Sequence, residues 1–190
     1  MTRKSEATRA QLLRTAADEF ARHGIAGARV DRIAESAGKN KNLLYVYFGN
    51  KEQLFDAVFE QAVREIVEST PITANDLPGY AGALFDFHVA HPHLMRLARW
   101  HSLERGGRTP DLPAVAAANA AKLAALTAAR APRQDDPGLP PELLLALIVS
   151  IATTWTEGAP EPLDPADPAA VAAKRRAVVA AVTRLTADDH

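Results

Sequence analysis

Four consecutive polar residues, Lys39, Asn40, Lys41 and Asn42, stand where a short helix is predicted to begin. An asparagine amide can form two hydrogen bonds with an adenine edge, and a lysine can bind guanine acceptors or a phosphate. The N-terminus of a helix adds free N–H groups and partial positive charge, which favour phosphate oxygens. These residue types, at this spacing, are therefore suited to the major groove of DNA.

Three more side chains extend this polar edge: Tyr45, Tyr47 and Lys51. We predict that one tyrosine contacts a phosphate or a thymine methyl group while the other packs on the protein. Lys51, at the start of the next helix, is a predicted phosphate anchor. Each residue alone could be a solvated surface group, so the prediction depends on their combination. A basic N-terminal arm that could follow the DNA backbone contains Arg3, Lys4 and Arg9.

Three short helices are predicted to position this edge. Thr8 and Gln11 have the spacing of a capping box, so the first helix should begin near Thr8 and stop at Gly24. The second should end at Gly38 and the third at Gly49. A glycine turn between two short helices is typical of a helix-turn-helix. The apolar faces should pack around Phe20, Ile33, Leu44 and Phe48.

The rest of the chain is also predicted to be helical, because no strand-like alternation of apolar and polar residues occurs. A fourth helix, capped by Asn50, should run to Ser69 and link the head to a larger body. The fold class predicted is all-α, with a helix-turn-helix DNA-binding domain at 1–50 and a helical effector-binding and dimerisation domain at 51–190. Further helices are predicted at 76–90, 93–104, 113–129 and 141–157, then a polar loop at 130–140, and a last helix from Asp167 and Pro168.

Composition excludes several classes of protein. The 190 residues are 47% hydrophobic and 24% charged, and they include no cysteine, which rules out disulfides and thiolate sites. Neither a signal peptide nor a membrane-spanning run is predicted, so we expect a cytoplasmic protein. Residues 1–52 hold ten Lys and Arg against six Asp and Glu, whereas the remainder holds twelve against seventeen. A basic end on an acidic body is typical of a protein that meets a polyanion with one end.

The segment 141–157 is apolar nearly all the way round, so it needs cover on more than one face. Together with the last helix it could form a four-helix bundle with a second copy of the chain. The alternative is that both helices belong to the core of a monomer. We predict the homodimer, with an interface that contains Leu143, Leu147, Ile151, Val171, Val178 and Val182.

The head resembles the N-terminal domain of TetR-family transcriptional regulators. The matching pieces are TR-x-x-LL-x-x-A-x-x-x-F (8–20), Gly24, V-x-x-IA-x-x-AG (30–38) and K-x-x-LY-x-YF-x-x-K-x-x-L (41–54). The resemblance covers about a quarter of the chain. It implies a homodimeric all-α protein, usually a repressor, that binds a palindromic operator in double-stranded DNA. A small effector held by the C-terminal domain would release it.

Carried onto matching positions, the resemblance implies DNA contacts at Lys39, Asn40, Lys41, Asn42, Tyr45, Tyr47 and Lys51. Two departures change the expected contacts. Ala28 and Arg29 stand where Thr or Ser is common, and Arg29 could replace a hydroxyl contact with a charge. Lys39 and Asn42 stand where smaller or apolar residues are common, so the operator cannot be taken from relatives.

The body should hold a small, mostly apolar effector, although core packing is an alternative role for each candidate residue. The alternatives are a metal site among His88, His91, His93 and His101, an enzyme that uses Glu104, His101 and His88, and a DNA-bound protein with no effector. An activator is a further alternative. We predict neither a metal, nor a cofactor, nor an enzyme. The candidate effector residues are Phe85, His88, Met95, Trp100, Asn119, Ser150, Thr154 and Trp155.

Overall fold

The computed structural model describes residues 3–105, 113–129, 139–155 and 161–187. These residues form helices and no strand, which confirms the all-α prediction. In chain order the helices are α1 (Arg3–Gly27), α2 (Val30–Ser36), α3 (Lys41–Phe48), α4 (Lys51–Ser69), α5 (Leu77–Ala90), α6 (Pro92–Glu104), α7 (Pro113–Ala129), α8 (Pro141–Ala152) and α9 (Pro168–Thr186).

The chain divides into two compact units. We call Met1–Arg64 with His93–Val115 the head unit, and Glu65–Pro92 with Ala116–His190 the body unit. Helix α4 contributes to both, and α6 belongs to the head unit. These units are not the two sequential domains predicted at 1–50 and 51–190. That domain boundary stays a prediction.

The core of the head unit forms around the apolar faces of α1 to α4. The four side chains predicted to lie there, Phe20, Ile33, Leu44 and Phe48, are all buried, which confirms that prediction. The ring of Phe55 from α4 meets the ring of Phe20 edge to face, with centroids 5.1 Å apart. This contact ties α4 to the helices that carry the polar edge.

The start of α1 differs from the prediction. The helix begins at Arg3, so Thr8 lies inside it, where a capping box cannot operate. Gln11 instead donates a hydrogen bond from Nε2 to the carbonyl oxygen of Ala37 at 3.1 Å, which ties α1 to the end of α2. The predicted stop at Gly24 appears as a break, because Gly24 has φ 69° and ψ −177° within Arg3–Gly27.

Two predicted helix starts are confirmed by their caps. The Asn50 side chain accepts the backbone N–H of Gln53 at 2.8 Å at the start of α4. The Asp167 side chain accepts the N–H groups of Ala169 at 2.9 Å and Ala170 at 3.1 Å at the start of α9. Each cap satisfies N–H groups that have no partner within the helix, so sequence alone located these starts.

Helix α8 ends earlier than predicted, at Ala152 rather than at residue 157. The hydroxyl of Thr153 donates to the carbonyl of Val149 at 2.9 Å, and that of Thr154 donates to the carbonyl of Ser150 at 2.8 Å. Consecutive β-branched residues with such back-bonding favour the end of a helix. Residues 156–160 and the loop 130–138 lie outside the described residues.

The core of the body unit forms where α5 packs against α8 and α9. Helix α5 contributes apolar side chains along most of its length, and α7 adds Leu126. On the surface, the Arg175 guanidinium binds both carboxylate oxygens of Asp86, at 2.8 and 2.9 Å, and so links α9 to α5. The buried members of this core include Leu77, Tyr80, Leu84, Phe85, Leu144, Ile148, Val178 and Val182.

Candidate nucleic-acid interface

The first turn of α3 presents the predicted polar edge. Asn40 caps the helix, because its Oδ1 accepts the backbone N–H of Asn42 at 2.8 Å. Lys41 and Asn42 are exposed, and Lys39 is half-buried. Among the described residues no partner binds the side-chain amide of Asn42, so this amide is available to a ligand.

Lys41 is held by a carboxylate on the neighbouring helix. Its Nζ lies 2.9 Å from Oδ1 and 3.1 Å from Oδ2 of Asp31, which stands in the first turn of α2. The hydrogen bond to Asp31 raises the pKa of Lys41 above its ordinary value. Both side chains are exposed, so a phosphate can replace Asp31 as the partner of Lys41 at small cost.

The two tyrosines of α3 have different surroundings. Tyr45 is 41% exposed, whereas Tyr47 is half-buried beside Phe48, with ring centroids 6.1 Å apart. The Tyr47 hydroxyl lies 2.9 Å from Oγ of Ser5 on α1. Tyr45 is therefore the ring that faces solvent, and Tyr47 anchors α3 to α1.

Val46 completes the exposed surface of α3, and sequence reasoning missed it. Its side chain is 79% exposed, the largest exposed fraction of any large apolar side chain among the described residues. Asn42 and Val46 are four residues apart, so they lie on the same face of the helix. That spacing was a usable signal, because the buried face was already assigned to Leu44 and Phe48.

The remaining predicted contacts surround the junction of α1 and α2. Lys51 donates from Nζ to the carbonyl of Ala26 at 3.2 Å, with a longer contact of 3.5 Å to that of Ala28. The side chain of Arg29 is exposed, and its backbone N–H donates to Glu19 at 2.9 Å. Lys51 thus helps to fix the entry to α2, a structural role that sequence reasoning did not include.

Glu19 on α1 orients α2. Its Oε1 accepts hydrogen bonds from Nε and Nη2 of Arg32 at 2.8 and 2.6 Å. Burial raises the pKa of Glu19, but the hydrogen bonds from Arg32 and from the Arg29 backbone outweigh it and bring the pKa below its ordinary value. The paired carboxylate stays ionised at neutral pH and holds α2 in place.

Helix α6 is joined to the end of α1 within the head unit. The Glu104 carboxylate accepts the backbone N–H groups of Ile25 and Ala26, both at 2.8 Å. The indole N–H of Trp100 donates to the carbonyl of Ala21 at 3.2 Å. These contacts lie on both sides of the break at Gly24, so α6 holds α1 before and after that break.

The eight candidate effector residues are divided between the two units. Met95 and Trp100 belong to the head unit, and the other six belong to the body unit. Asn119, Ser150 and Thr154 are exposed, and both hydroxyls bond to carbonyls of their own helix. An effector site in the body unit stays a prediction. Its buried candidates are Phe85 and His88, with half-buried Trp155 beside Phe85.

The candidate interface residues separate into surface and core. Leu143 is 55% exposed and Leu147 is 40% exposed, so one face of α8 is uncovered in the single chain. Val178 and Val182 are completely buried in the core of the body unit, because they face α5. They cannot contact a partner directly, which corrects their predicted role. The half-buried members are Ile151 and Val171.

In the described part of the chain, no group of three or more His, Cys, Asp and Glu side chains is arranged so that it could hold a metal ion. His91 instead contacts the carbonyl of Phe87 at 2.9 Å through Nδ1 and stacks on the Phe87 ring. Across the described ranges, none of the helices combines the length and hydrophobicity needed to cross a bilayer.

Two family models match the chain. Residues 12–58 match the model of bacterial regulatory proteins of the tetR family, and residues 76–184 match that of the tetracyclin repressor-like C-terminal domain. The HTH-type transcriptional repressor SCO4008 of Streptomyces coelicolor is 41% identical over 162 residues, which are 84% of this chain and 83% of that protein. The repressor NicS of Pseudomonas putida is 28% identical over 54% of this chain and 52% of its own length.

Solved structures agree with these matches. The crystal structure of SCO4942 from Streptomyces coelicolor is 39% identical, covers 94% of this chain and 97% of its own, and superposes with a TM-score of 0.74. A TetR-like regulator from Rhodococcus, 20% identical, covers 95% of this chain and 96% of its own with a TM-score of 0.62, which shows the shared fold. The chain is a DNA-binding transcriptional regulator, not an enzyme, and it belongs to the TetR family.

Proposed function

We propose that this regulator is a repressor that binds a palindromic operator as a homodimer and leaves it when a small effector binds. The observation that carries the proposal is the exposed face of α3, where the amide of Asn42 and the side chain of Val46 stand side by side without partners among the described residues. The repressor names of its relatives SCO4008 and NicS support the direction of regulation.

In the proposed complex, α3 lies in the major groove of DNA. The Asn42 amide reads an adenine edge, and Val46 contacts a thymine methyl group. Tyr45, which is 41% exposed, contacts a phosphate or a thymine methyl group. The ammonium group of Lys39 contacts a phosphate. Lys41 leaves Asp31 to bind a guanine or a phosphate. The N-terminus of α3, capped by Asn40, adds its positive partial charge.

Lys51, Arg29 and Tyr47 have supporting roles. Lys51 and Arg29 lie beside the entry to α2, where each can contact a phosphate of the DNA backbone. Tyr47 acts through position, because its hydroxyl holds α3 against Ser5. Phosphate contacts of this kind set the register of the head on DNA, while base contacts select the sequence.

The dimer is proposed to form through the uncovered face of α8. Leu143 and Leu147 are exposed apolar residues one helical turn apart, and Ile151 continues the row. Two heads held by a twofold axis would reach half-sites about 34–36 Å apart or a multiple of that distance. Because its operator is DNA, the protein is proposed to work in the cytoplasm.

Two experiments test the proposal. Selection from a random pool of duplexes should return an inverted repeat, and a single unrepeated half-site would contradict the dimer. Transcription from a promoter that carries the selected sequence should fall when the protein is added. A rise in transcription would instead establish the alternative, an activator.

A further inference from the structure

One lysine of the body unit, Lys122, has no anionic partner among the described residues. Lys122 on α7 is half-buried, and its Nζ donates to the hydroxyl of Tyr80 on α5 at 2.9 Å. The same Nζ lies 5.5 Å from the centroid of the Tyr80 ring. No carboxylate pairs with Lys122 anywhere in the described ranges of the body unit. Burial lowers the pKa of Lys122, the direction expected of an ammonium group without a counter-charge.

Lys174, in the same unit, pairs with a carboxylate, as partly buried lysines usually do. Its Nζ lies 3.4 Å from a carboxylate oxygen of Glu161 and 3.2 Å from the Glu161 carbonyl oxygen. It also lies over the Trp155 ring, at 5.6 Å from the centroid. Both lysines therefore have an aromatic neighbour, but within the described ranges Lys174 alone pairs with a carboxylate. A partly buried ammonium group is stabilised by a counter-charge, so an anion would stabilise Lys122 more than Lys174.

His88 adds a second unfilled polar group on α5. Its side chain is 92% buried, since only 8% is exposed, and its Nδ1 has no hydrogen-bond partner among the described residues. Tyr80 and His88 are eight residues apart with Leu84 between them, so the three side chains share one face of α5. Burial, followed by the charges of His91 and Lys122, lowers the pKa of His88 to about 4. The imidazole is therefore neutral at neutral pH, and one tautomer donates a proton from Nδ1.

The hydroxyl of Tyr80 contributes a further donor. It is buried with the ring, and it accepts from Lys122, so its own hydrogen is left to donate. Burial raises the pKa of Tyr80 to about 12, which keeps the hydroxyl protonated. The Lys122–Tyr80 pair thus offers an ammonium group and a hydroxyl hydrogen in a core that also holds Leu84 and Leu126. His88 offers an imidazole nitrogen about two helical turns further along the same face of α5.

We propose that the body unit binds an organic anion with an apolar body, whose carboxylate pairs with Lys122 and accepts a hydrogen bond from Tyr80, while a polar group further along the ligand can meet His88. The carboxylate supplies the acceptors that the Lys122 ammonium and the Tyr80 hydroxyl hydrogen lack, and an apolar remainder suits the neighbouring leucines. Cationic ligands are disfavoured, because their charge would meet Lys122. The inference refines the effector of the proposed function and rests on it for any effect on DNA.

The test measures binding to the DNA-free, full-length protein by isothermal calorimetry. The probes are aliphatic and aromatic carboxylates, each with the alcohol and the ammonium ion of the same carbon skeleton. We expect at least one carboxylate to bind roughly tenfold more tightly than its matching alcohol, because a charge-assisted hydrogen bond replaces a neutral one. The matching ammonium ion should bind more weakly than either.

Variants locate the site. Lys122→Met keeps the length of the side chain and should remove the preference for the carboxylate over the alcohol, whereas Lys122→Arg should retain it. The control Lys174→Met should retain it as well, since Glu161 already pairs with Lys174. Lys122→Met should fold, because it replaces a partly buried charge by an apolar group.

The outcomes separate this inference from the proposed function. Absence of binding by every carboxylate, equal binding of carboxylate and alcohol, or an unchanged preference in Lys122→Met would each overturn the anion site. A carboxylate that binds through Lys122 and leaves the protein on its operator would retain the site and contradict release by this ligand. Specific operator binding is measured independently and does not depend on either result.

Discussion

Glu104 and Ile25 are 79 positions apart in the chain, yet the carboxylate of Glu104 accepts the backbone N–H of Ile25 at 2.8 Å. Its second oxygen accepts the N–H of Ala26 at the same distance. The carboxylate therefore caps the segment that follows the break at Gly24. Helix α6, which lies outside the helix-turn-helix, thus stabilises the end of α1.

Substitution of Gly24 by Ala should destabilise the protein by about 2–3 kcal/mol, from backbone strain and a clash. Gly24 has φ +69°, and a Cβ there would overlap Oε1 of Glu104 and lie 3.0 Å from Trp100. The control is Gly38→Ala, since Gly38 has φ +61° and no atom within 4 Å of the added Cβ. The control should cost only about 1 kcal/mol of strain. Urea unfolding measures both, and equal losses would contradict the role given to the Glu104 contact.

His88 should make the protein sensitive to acid. Because burial lowers its pKa from 6.5 to about 4, the unfolded chain binds a proton before the folded chain does as the pH falls. The free energy of unfolding should therefore decrease between about pH 6.5 and pH 4, by up to about 3 kcal/mol from this group. Unfolding by urea across this pH range measures the slope.

The control for this prediction compares slopes rather than absolute stabilities. His88→Leu and His88→Gln both remove the titrating group, although they differ in volume and polarity. Both variants should show a flatter dependence on pH than the unsubstituted protein. If either retained the full slope, the acid sensitivity would come from other residues.

Substitution of Leu147 by Glu should convert the dimer into monomers, because it places a charge on the exposed apolar face of α8. Sedimentation velocity measures the change. Leu103→Glu is the matched control, since Leu103 is 69% exposed on α6 and lies outside the proposed interface. Val178 is not a suitable probe, because it is fully buried and a charge there would unfold the body unit. A dimer that persists in Leu147→Glu would place the interface elsewhere.

Substitution of Lys51 by Ala should weaken binding to every duplex alike. A lost phosphate contact reduces the slope of log affinity against log salt by about one unit. Fluorescence anisotropy at several salt concentrations measures the slope. Arg176→Ala removes an exposed charge from α9 in the body unit and should leave the slope unchanged. An unchanged slope in Lys51→Ala would show that Lys51 contacts no phosphate and acts only through its contacts with Ala26 and Ala28.

Local sequence signals located most helices and their caps. Asn50 and Asp167 act on N–H groups two or three residues away, so the chain itself carries the information. The apolar spacing of Phe20 and Ile33 likewise predicted the core of the head unit. Such signals work because the interacting residues lie close together in the chain.

Contacts between distant residues could not be predicted in this way. Gln11 meets Ala37, and Tyr47 meets Ser5, only after the helices pack. The burial of Val178 was likewise not predictable, because the pattern marks a residue as apolar without saying which neighbour covers it. Residues in the proposed anion site belong to this class, since Lys122 and Tyr80 are 42 positions apart.

If the exposed face of α3 reads DNA sequence, Asn42→Ala must change the base preference of the protein. Affinities of the unsubstituted protein and the variant are measured for every single-base change in the selected operator. We predict that Asn42→Ala loses about 1–3 kcal/mol of discrimination at one base pair in each half-site and none elsewhere. An identical preference at all positions would show that this face of α3 does not read the bases.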